Sequence, residues 1–299
     1  MTIQTENQTT ESSDIGDRLA KYSAYLQVAP LTIVLFVFAF VPICIILMYS
    51  VYEFNGFITL PAFVFANYWD IFTDWTSLLN LWHTTRIFGI TWAITLVLGF
   101  TISYFLVFDL ISFKVKVFLF LLTVVPFWTS GVVRMIAWVP FLGTEGVLNS
   151  ALLSIGVVDE PVQMLLFSEF AVIMSYVHMF TLFMVAPLFN VMARINPSIL
   201  EAAKDQGAKG WQILMFIIIP MTKPGIIIGT IFIVAMSATD FTAIRILSGA
   251  KSGSIANSVS VDYFNAFYPP AAAKSVILLL ILLLFVGGLM RIVDIRKQM

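Results

Sequence analysis

The sequence predicts an all-α integral membrane protein with six transmembrane helices, on three observations. The first is composition. Of 299 residues, 60% are hydrophobic and 11% charged, with a mean hydropathy of +0.97, whereas soluble domains carry about 25% charged and about 45–50% apolar residues. A soluble chain of this balance would expose aggregating apolar patches, and it has too little polar surface to cover a large buried helical core. The second is length: a span needs about 20 mostly apolar residues to cross about 30 Å of hydrocarbon. Stretches near 28–51, 84–108, 117–140, 166–190, 223–247 and 274–293 satisfy this. The third is charge sorting. With six spans, both termini share a side with the 109–116 and 191–222 connections. That side holds Arg18, Lys21, Lys114, Lys116, Arg194, Lys204, Lys209, Lys223, Arg291, Arg296 and Lys297, eleven of sixteen basic residues. Basic residues are retained in the cytoplasm, so the termini and the 191–222 connection are expected there. An odd number of spans would split the cluster.

The polar stretch 1–26 has no apolar h-region of a cleaved signal peptide and reads as a cytoplasmic tail ahead of a transmembrane domain over 27–299. Pro42, Pro126 and Pro187 fall inside spans and predict kinks. Of the three longer external connections, 52–83 is rich in Phe, Tyr and Trp, which suit either an interfacial belt or a docking surface. The external connections carry seven carboxylates against Lys251 alone, a bias that attracts cations. Positive-inside sorting gives the same bias for any substrate.

The net charge of −1 points away from a nucleic-acid partner. Cys44 lies in an apolar run and reads as a small buried hydrophobe. His83 and His178 are too few for a metal site without carboxylate help and are expected to pack or hydrogen-bond within the bundle. There is no Walker A pattern: Gly249-Ala250-Lys251-Ser252 lacks the two-glycine spacing and reads as loop. No Ser/His/Asp or HExxH arrangement is present, so neither catalysis nor a cofactor is expected.

The segment 196–211 interrupts two apolar runs and is too polar for hydrocarbon. Pro197 disfavours helix at Asn196. Ser198-Ile199-Leu200-Glu201 fits a capping box. A short helix should run to about Gln206, with Gly207 in the left-handed position that ends it and a second helix starting near Gly210. So short a helix needs packing partners, because isolated helices under about 12 residues are marginal in water. Leu200, Ala203 and Gly207 share one face, which suits either a groove on another protein or the chain's own bundle.

Glu201-Ala202-Ala203, three residues, Gly207, nine residues and Ile217-Ile218-Ile219-Pro220 resemble the EAA motif of binding-protein-dependent ABC importer permeases, with Ile219 replacing Leu. Pro126-Phe127-Trp128-Thr129-Ser130, Val133-Arg134, Ala137-Trp138, Gly146-Val147-Leu148-Asn149 and Thr239-Asp240-Phe241 are similar to the spermidine/putrescine-type branch across about 80–290, with Thr239 where that branch has Gly. The resemblance implies a type I ABC importer permease fold with a cytoplasmic coupling helix. It implies that Glu201, Ala202, Ala203 and Gly207, flanked by Lys204 and Asp205, contact an ATPase. It also implies a bacterial plasma-membrane assembly: two copies of a cytoplasmic ABC ATPase, a second and distinct permease, an external solute-binding protein and surrounding membrane lipid.

Charged groups within spans cost about 2.5–3.5 kcal/mol on insertion scales and are functional candidates. Arg134, Asp240 and Arg245 qualify, with Glu169 near the external end of the fourth span. Asp240 can either line a pathway or pair with Arg134 or Arg245. A cationic, polyamine-like solute would suit Asp240, Glu169 and the aromatics Trp128 and Tyr176 through charge and cation–π contact. A secondary transporter or a membrane receptor or scaffold are the other classes this composition permits. The first would use ion-coupling carboxylates at mid-membrane and leave Glu201 without a purpose. The second would not need Arg134 and Asp240.

Overall fold

The computed structural model describes residues 23, 25, 27–110, 112–249 and 253–292. Most of the expected tail, the stretch Ala250-Lys251-Ser252 and the terminal basic residues Arg296 and Lys297 lie outside the described residues. Six helices among the described residues are long and apolar enough to cross a membrane. The first, α1 (Gln27–Ser50), has none of its most apolar window buried inside the chain, as expected of a helix that is hydrophobic all round and sits in lipid. Cys44, expected to be buried, is exposed on it, because no other element covers that face. A two-stranded hairpin, β1 (Glu53–Phe54) with β2 (Thr59–Leu60), follows, then α2 (Ala66–Thr73). Asn67 Nδ2 donates to the Ser50 and Tyr52 carbonyls at 3.1 and 2.8 Å, pinning α2 to the end of α1.

The second span, α3 (Trp75–Asp109), starts well upstream of the expected residue 84. Asp74 caps it by accepting from the Ser77 amide at 2.8 Å, a bond that also holds the Asp74 carboxyl below its ordinary pKa. Hydropathy alone missed this start because Asn80 and His83 dilute the first turns.

The expected span 117–140 is not continuous. α4 (Phe113–Val124) runs into a 3-10 turn at Val125–Trp128, and Thr129 and Ser130 are extended, with ψ of 148° and 137°. The chain restarts as α5 (Gly131–Leu142) and α6 (Val147–Ser154), and the third membrane-length apolar segment is Gly131–Ser154. Pro126 thus breaks the helix instead of bending it.

After α7 (Glu169–Met192) and the short α8 (Pro197–Asp205), the fifth span is α9 (Gly210–Thr239), not 223–247. Lys223, expected at the start of the span, lies inside this helix. The C-terminal end falls at Asp240, whose ψ of 125° turns the backbone out of the helix. Three further helices follow among the described residues: α10 (Thr242–Leu247), α11 (Ile255–Phe264) and α12 (Tyr268–Ile292).

The core lies where α3, α7 and α9 pack together. α3 and α7 run parallel: His83 meets Glu169 near their starts, and the Ser103 hydroxyl donates to the Val185 carbonyl at 3.1 Å further along. α9 runs antiparallel to both, and Trp92 Nε1 donates to Thr230 Oγ1 at 2.9 Å. Lipid tails supply no hydrophobic force between spans, so small residues that admit close approach and interhelical hydrogen bonds of about 0.6 kcal/mol hold them together. Met184, completely buried, fills the notch between two glycines. A Cβ on Gly99 would lie 2.6 Å from its Cγ, and one on Gly229 2.4 Å from its Sδ. Lys274 Nζ, at 2.7 Å from both Asp262 Oδ2 and Ser258 Oγ, ties α11 to α12.

Candidate functional site

The connection between the fourth and fifth long helices is a polar segment with a cap at each end of its helix. α8 starts one step earlier than the expected capping box allows. Asn196 is its N-cap and accepts from the Ser198 amide at 3.1 Å, with Pro197 at the first helical position, where its missing N–H costs nothing. Ser198 is therefore already inside the helix, and the Ser198–Glu201 box does not form. The Glu201 side chain is left exposed and makes no hydrogen bond or ion pair among the described residues.

The other end follows the Schellman pattern. Gly207 has φ of +83°, its amide donates to the Lys204 carbonyl at 2.9 Å, and the Ala208 amide reaches the Ala203 carbonyl at 3.0 Å. The second helix starts at Gly210, where the Lys209 amide donates to Gln212 Oε1 at 2.7 Å.

Both faces of α8 are used. Leu200 and Ala203, with Ala208 beyond the cap, pack on the chain's own core. Glu201, Ala202, Lys204 and Asp205 point away from it and are exposed. No atom lies within 4 Å of where a Gly207 side chain would begin. α8 is thus clamped to the bundle by its small apolar side and presents its charged side outward.

The intramembrane polar candidates fall in three separate places. At the first, the α9–α10 break, Asp240 Oδ1 accepts from the Ala243 amide at 2.9 Å. The Tyr176 hydroxyl lies 3.1 Å from both the Asp240 carbonyl and Oδ1. Tyr176 is completely buried, so in this conformation it acts on Asp240 and presents no face to a solute. Among the described residues Asp240 forms no ion pair, neither with Arg134 nor with Arg245, whose guanidinium instead sits 5.4 Å from the Phe264 ring centre.

At the second place, Arg134 on α5 lies 5.0 Å from the centre of the Phe127 ring, and its Nε and Nη1 are buried without hydrogen-bond partners. Trp128, next to Phe127, is 83% exposed. At the third, the start of α7, Glu169 is held by His83 Nδ1 at 2.6 Å and by the Arg86 guanidinium. These partners, which the sequence reading did not assign to Glu169, lie three residues apart on one face of α3. Asn149, also missed as a structural residue, is fully buried and holds the 141–165 connection by bonds to Gly143 and Val162. No group of three or more metal-ligating side chains occurs among the described residues.

The fold and this site define a six-span helical membrane protein with a short, capped helix between its fourth and fifth spans that turns its charged side outward. Residues 110–298 match the family described as "Binding-protein-dependent transport system inner membrane component", and the chain belongs to that family, as a multi-pass inner-membrane protein. It is 36% identical over 185 residues to the spermidine/putrescine transport system permease protein PotB of Escherichia coli (strain K12), a match covering 62% of this chain and 66% of that one. It is 29% identical over 228 residues to the PotB of Haemophilus influenzae, covering 76% and 78%. The match spans just under two thirds of the first Escherichia coli relative's length. A crystal structure of a bacterial alginate ABC transporter in complex with an alginate pentasaccharide-bound periplasmic protein contains a chain that superposes with a TM-score of 0.74. The superposition covers 95% of this chain and 97% of that one at 18% identity, so it is a likeness of fold.

Proposed function

We propose that this chain is the permease subunit of an ABC importer and moves a small, polyamine-like or otherwise cationic solute across the inner membrane by alternating access. The observation that carries the reading is α8, seated on its own bundle by Leu200 and Ala203 while Glu201, Ala202, Lys204 and Asp205 face outward. A pair of cytoplasmic ATPases grips that outward side, and Gly207 lets the chain turn immediately after it. The basic residues around α8 orient it, together with both termini, to the cytoplasm. A second, distinct permease completes the pathway, and an external binding protein delivers solute. ATP-driven closure of the ATPases moves α8 as a lever, and α7 and α9 carry the motion inward.

The named relatives' substrates and the Asp240 geometry support a cationic solute. Of the two acidic candidates, Glu169 is paired with the Arg86 guanidinium and held by His83, whereas among the described residues Asp240 has no cationic partner. Trp128, exposed beside the chain break, offers a cation–π face, and Arg134 repels the cation from the α5 side. Uptake in vesicles holding the assembled complex tests the reading. Uptake should require both ATP and the ATPase; uptake that persists without the ATPase would refute it.

A further inference from the structure

The three core helices lose their regularity on the α8 side of one level. α7 carries Pro187 inside its helix, and α9 carries Pro224. A proline cannot donate to the carbonyl four residues back, and its ring pushes that carbonyl away. The two helices meet at this level. A Cβ on Gly225 would lie 2.9 Å from the Pro187 carbonyl oxygen and 3.1 Å from Leu188 Cα, so backbone lies against backbone. Nearer α8, α9 has Pro220 and a π-turn at Leu214–Ile218, where the Ile219 amide reaches back five residues to Leu214. Thr222, completely buried, donates its hydroxyl to the Ile218 carbonyl at 2.9 Å, a contact that often bends helices. α3 ends in another π-turn, Phe105–Asp109, just past Ser103, which meets Val185. Away from α8 the same helices are locked by Met184 in its notch and by the Trp92–Thr230 bond.

We infer that this level is a built-in bend. The end of α7, α8 and the start of α9 swing as one block against the rest of the bundle. A push on α8 then changes the tilt of α7 and α9 up to Pro187 and Gly225 and leaves the Asp240–Tyr176 region in shape. The inference rests on the reading of α8 as the ATPase contact. The block holds together because Leu200, Ala203 and Ala208 pack on the buried cluster that includes Met192 and Ile213. Its links to the rest of the bundle are the weakened stretches. Sharp helix kinks arise almost always at prolines, π-turns and similar breaks, and π-turns inside helices gather at functional sites. Membrane helices tolerate such a break when neighbours satisfy the freed backbone. Breaks in three packed helices on the same side of one level are more than a local packing accident in one of them. From Gly210 to Pro224 the arm is roughly 21 Å long at 1.5 Å per residue, so a bend change of about 10° carries α8 about 4 Å.

Distances between spin labels test this on the assembled complex in vesicles, with pairs of cysteines placed in a Cys44→Ser chain. Ile199 on α8 lies outside the proposed ATPase contact and is exposed, and Val97 on α3 and Phe232 on α9 are exposed on the other side of the bend. Between the nucleotide-free complex and one arrested with ATP and vanadate, the Ile199–Val97 distance should shift by about 4 Å. The Val97–Phe232 distance should shift by less than a quarter of that. Pro187→Ala with Pro224→Ala restores a backbone donor to each helix. It should at least halve the first shift and lower the solute taken up per ATP hydrolysed at least threefold. If this double variant fails to assemble, the two distances in the proline-containing chain decide. An Ile199–Val97 distance that stays fixed while uptake is ATP-driven, equal shifts in both pairs, or a shift indifferent to the proline replacements would overturn the bend alone. Uptake that needs no ATPase would overturn the reading beneath it as well.

Discussion

The hydroxyl of Tyr176 lies 3.1 Å from both the backbone carbonyl and the carboxylate of Asp240, so the buried face of the fourth span fixes the point at which the fifth one stops. Asp240 also restarts the chain, by accepting from the Ala243 amide. One residue therefore serves as hinge pin, helix start and the acidic candidate of this region.

Asp240→Asn separates these roles, because the amide oxygen still accepts from Ala243 and Tyr176 while the charge is gone. The complex should assemble at its normal level, with uptake of a polyamine-type cation falling about tenfold, equivalent to ~1.4 kcal/mol. Solute uptake and complex recovery measured together decide between the roles: loss of the complex would make Asp240 a purely structural residue.

Gly207→Val places a β-branched residue at φ of +83°. Nothing within 4 Å obstructs the new side chain, so the cost is backbone strain of about 1–2 kcal/mol. The helix end should fray, and solute-stimulated ATP hydrolysis should be abolished with membrane insertion intact. Gly207→Asn, which tolerates the left-handed region, should retain most of the stimulation.

Gly229→Ala forces Met184 out of its notch, since the new Cβ would lie 2.4 Å from the Met184 sulfur. Overpacking of this kind costs about 1–3 kcal/mol and should lower the melting temperature of the detergent-purified protein. Adding Met184→Ala should recover part of the loss. A double variant less stable than both single variants would show that the notch is not the source.

Five of the six spans were legible from hydropathy because twenty apolar residues leave few alternatives; the third was not, because the chain breaks at Thr129–Ser130 inside an apolar run. Their ends were not, because side-chain caps set them. Asp74 starts α3 early, Asn196 displaces the Ser198–Glu201 box, and Asp240 cuts the fifth span short. Each cap draws on a hydrogen bond that periodicity does not encode. The Gly207 turn was legible because its left-handed backbone favours glycine. The partners of Glu169 come from a parallel helix more than eighty positions away, and no local pattern reveals such a pairing. Leu200 and Ala203 were visible as one face of α8, but only the packed bundle showed that this face points inward.

Glu169→Gln removes the charge that joins α7 to His83 and Arg86. All three side chains are partly exposed, so solvent screening limits the expected loss to about 0.2–1 kcal/mol. It should be read as a small fall in melting temperature that shrinks at high salt. A salt-independent loss would mean that packing, not charge, holds this end together.

Cysteine cross-linking at α8 tests the central claim most directly, in a Cys44→Ser background that removes the chain's single native thiol. Ala202→Cys lies on the exposed side and Ala203→Cys on the side packed against the bundle. The account predicts a cross-link between position 202 and the ATPase that depends on complex assembly, with position 203 protected. No cross-link at 202, or an equal one at 203, would contradict it.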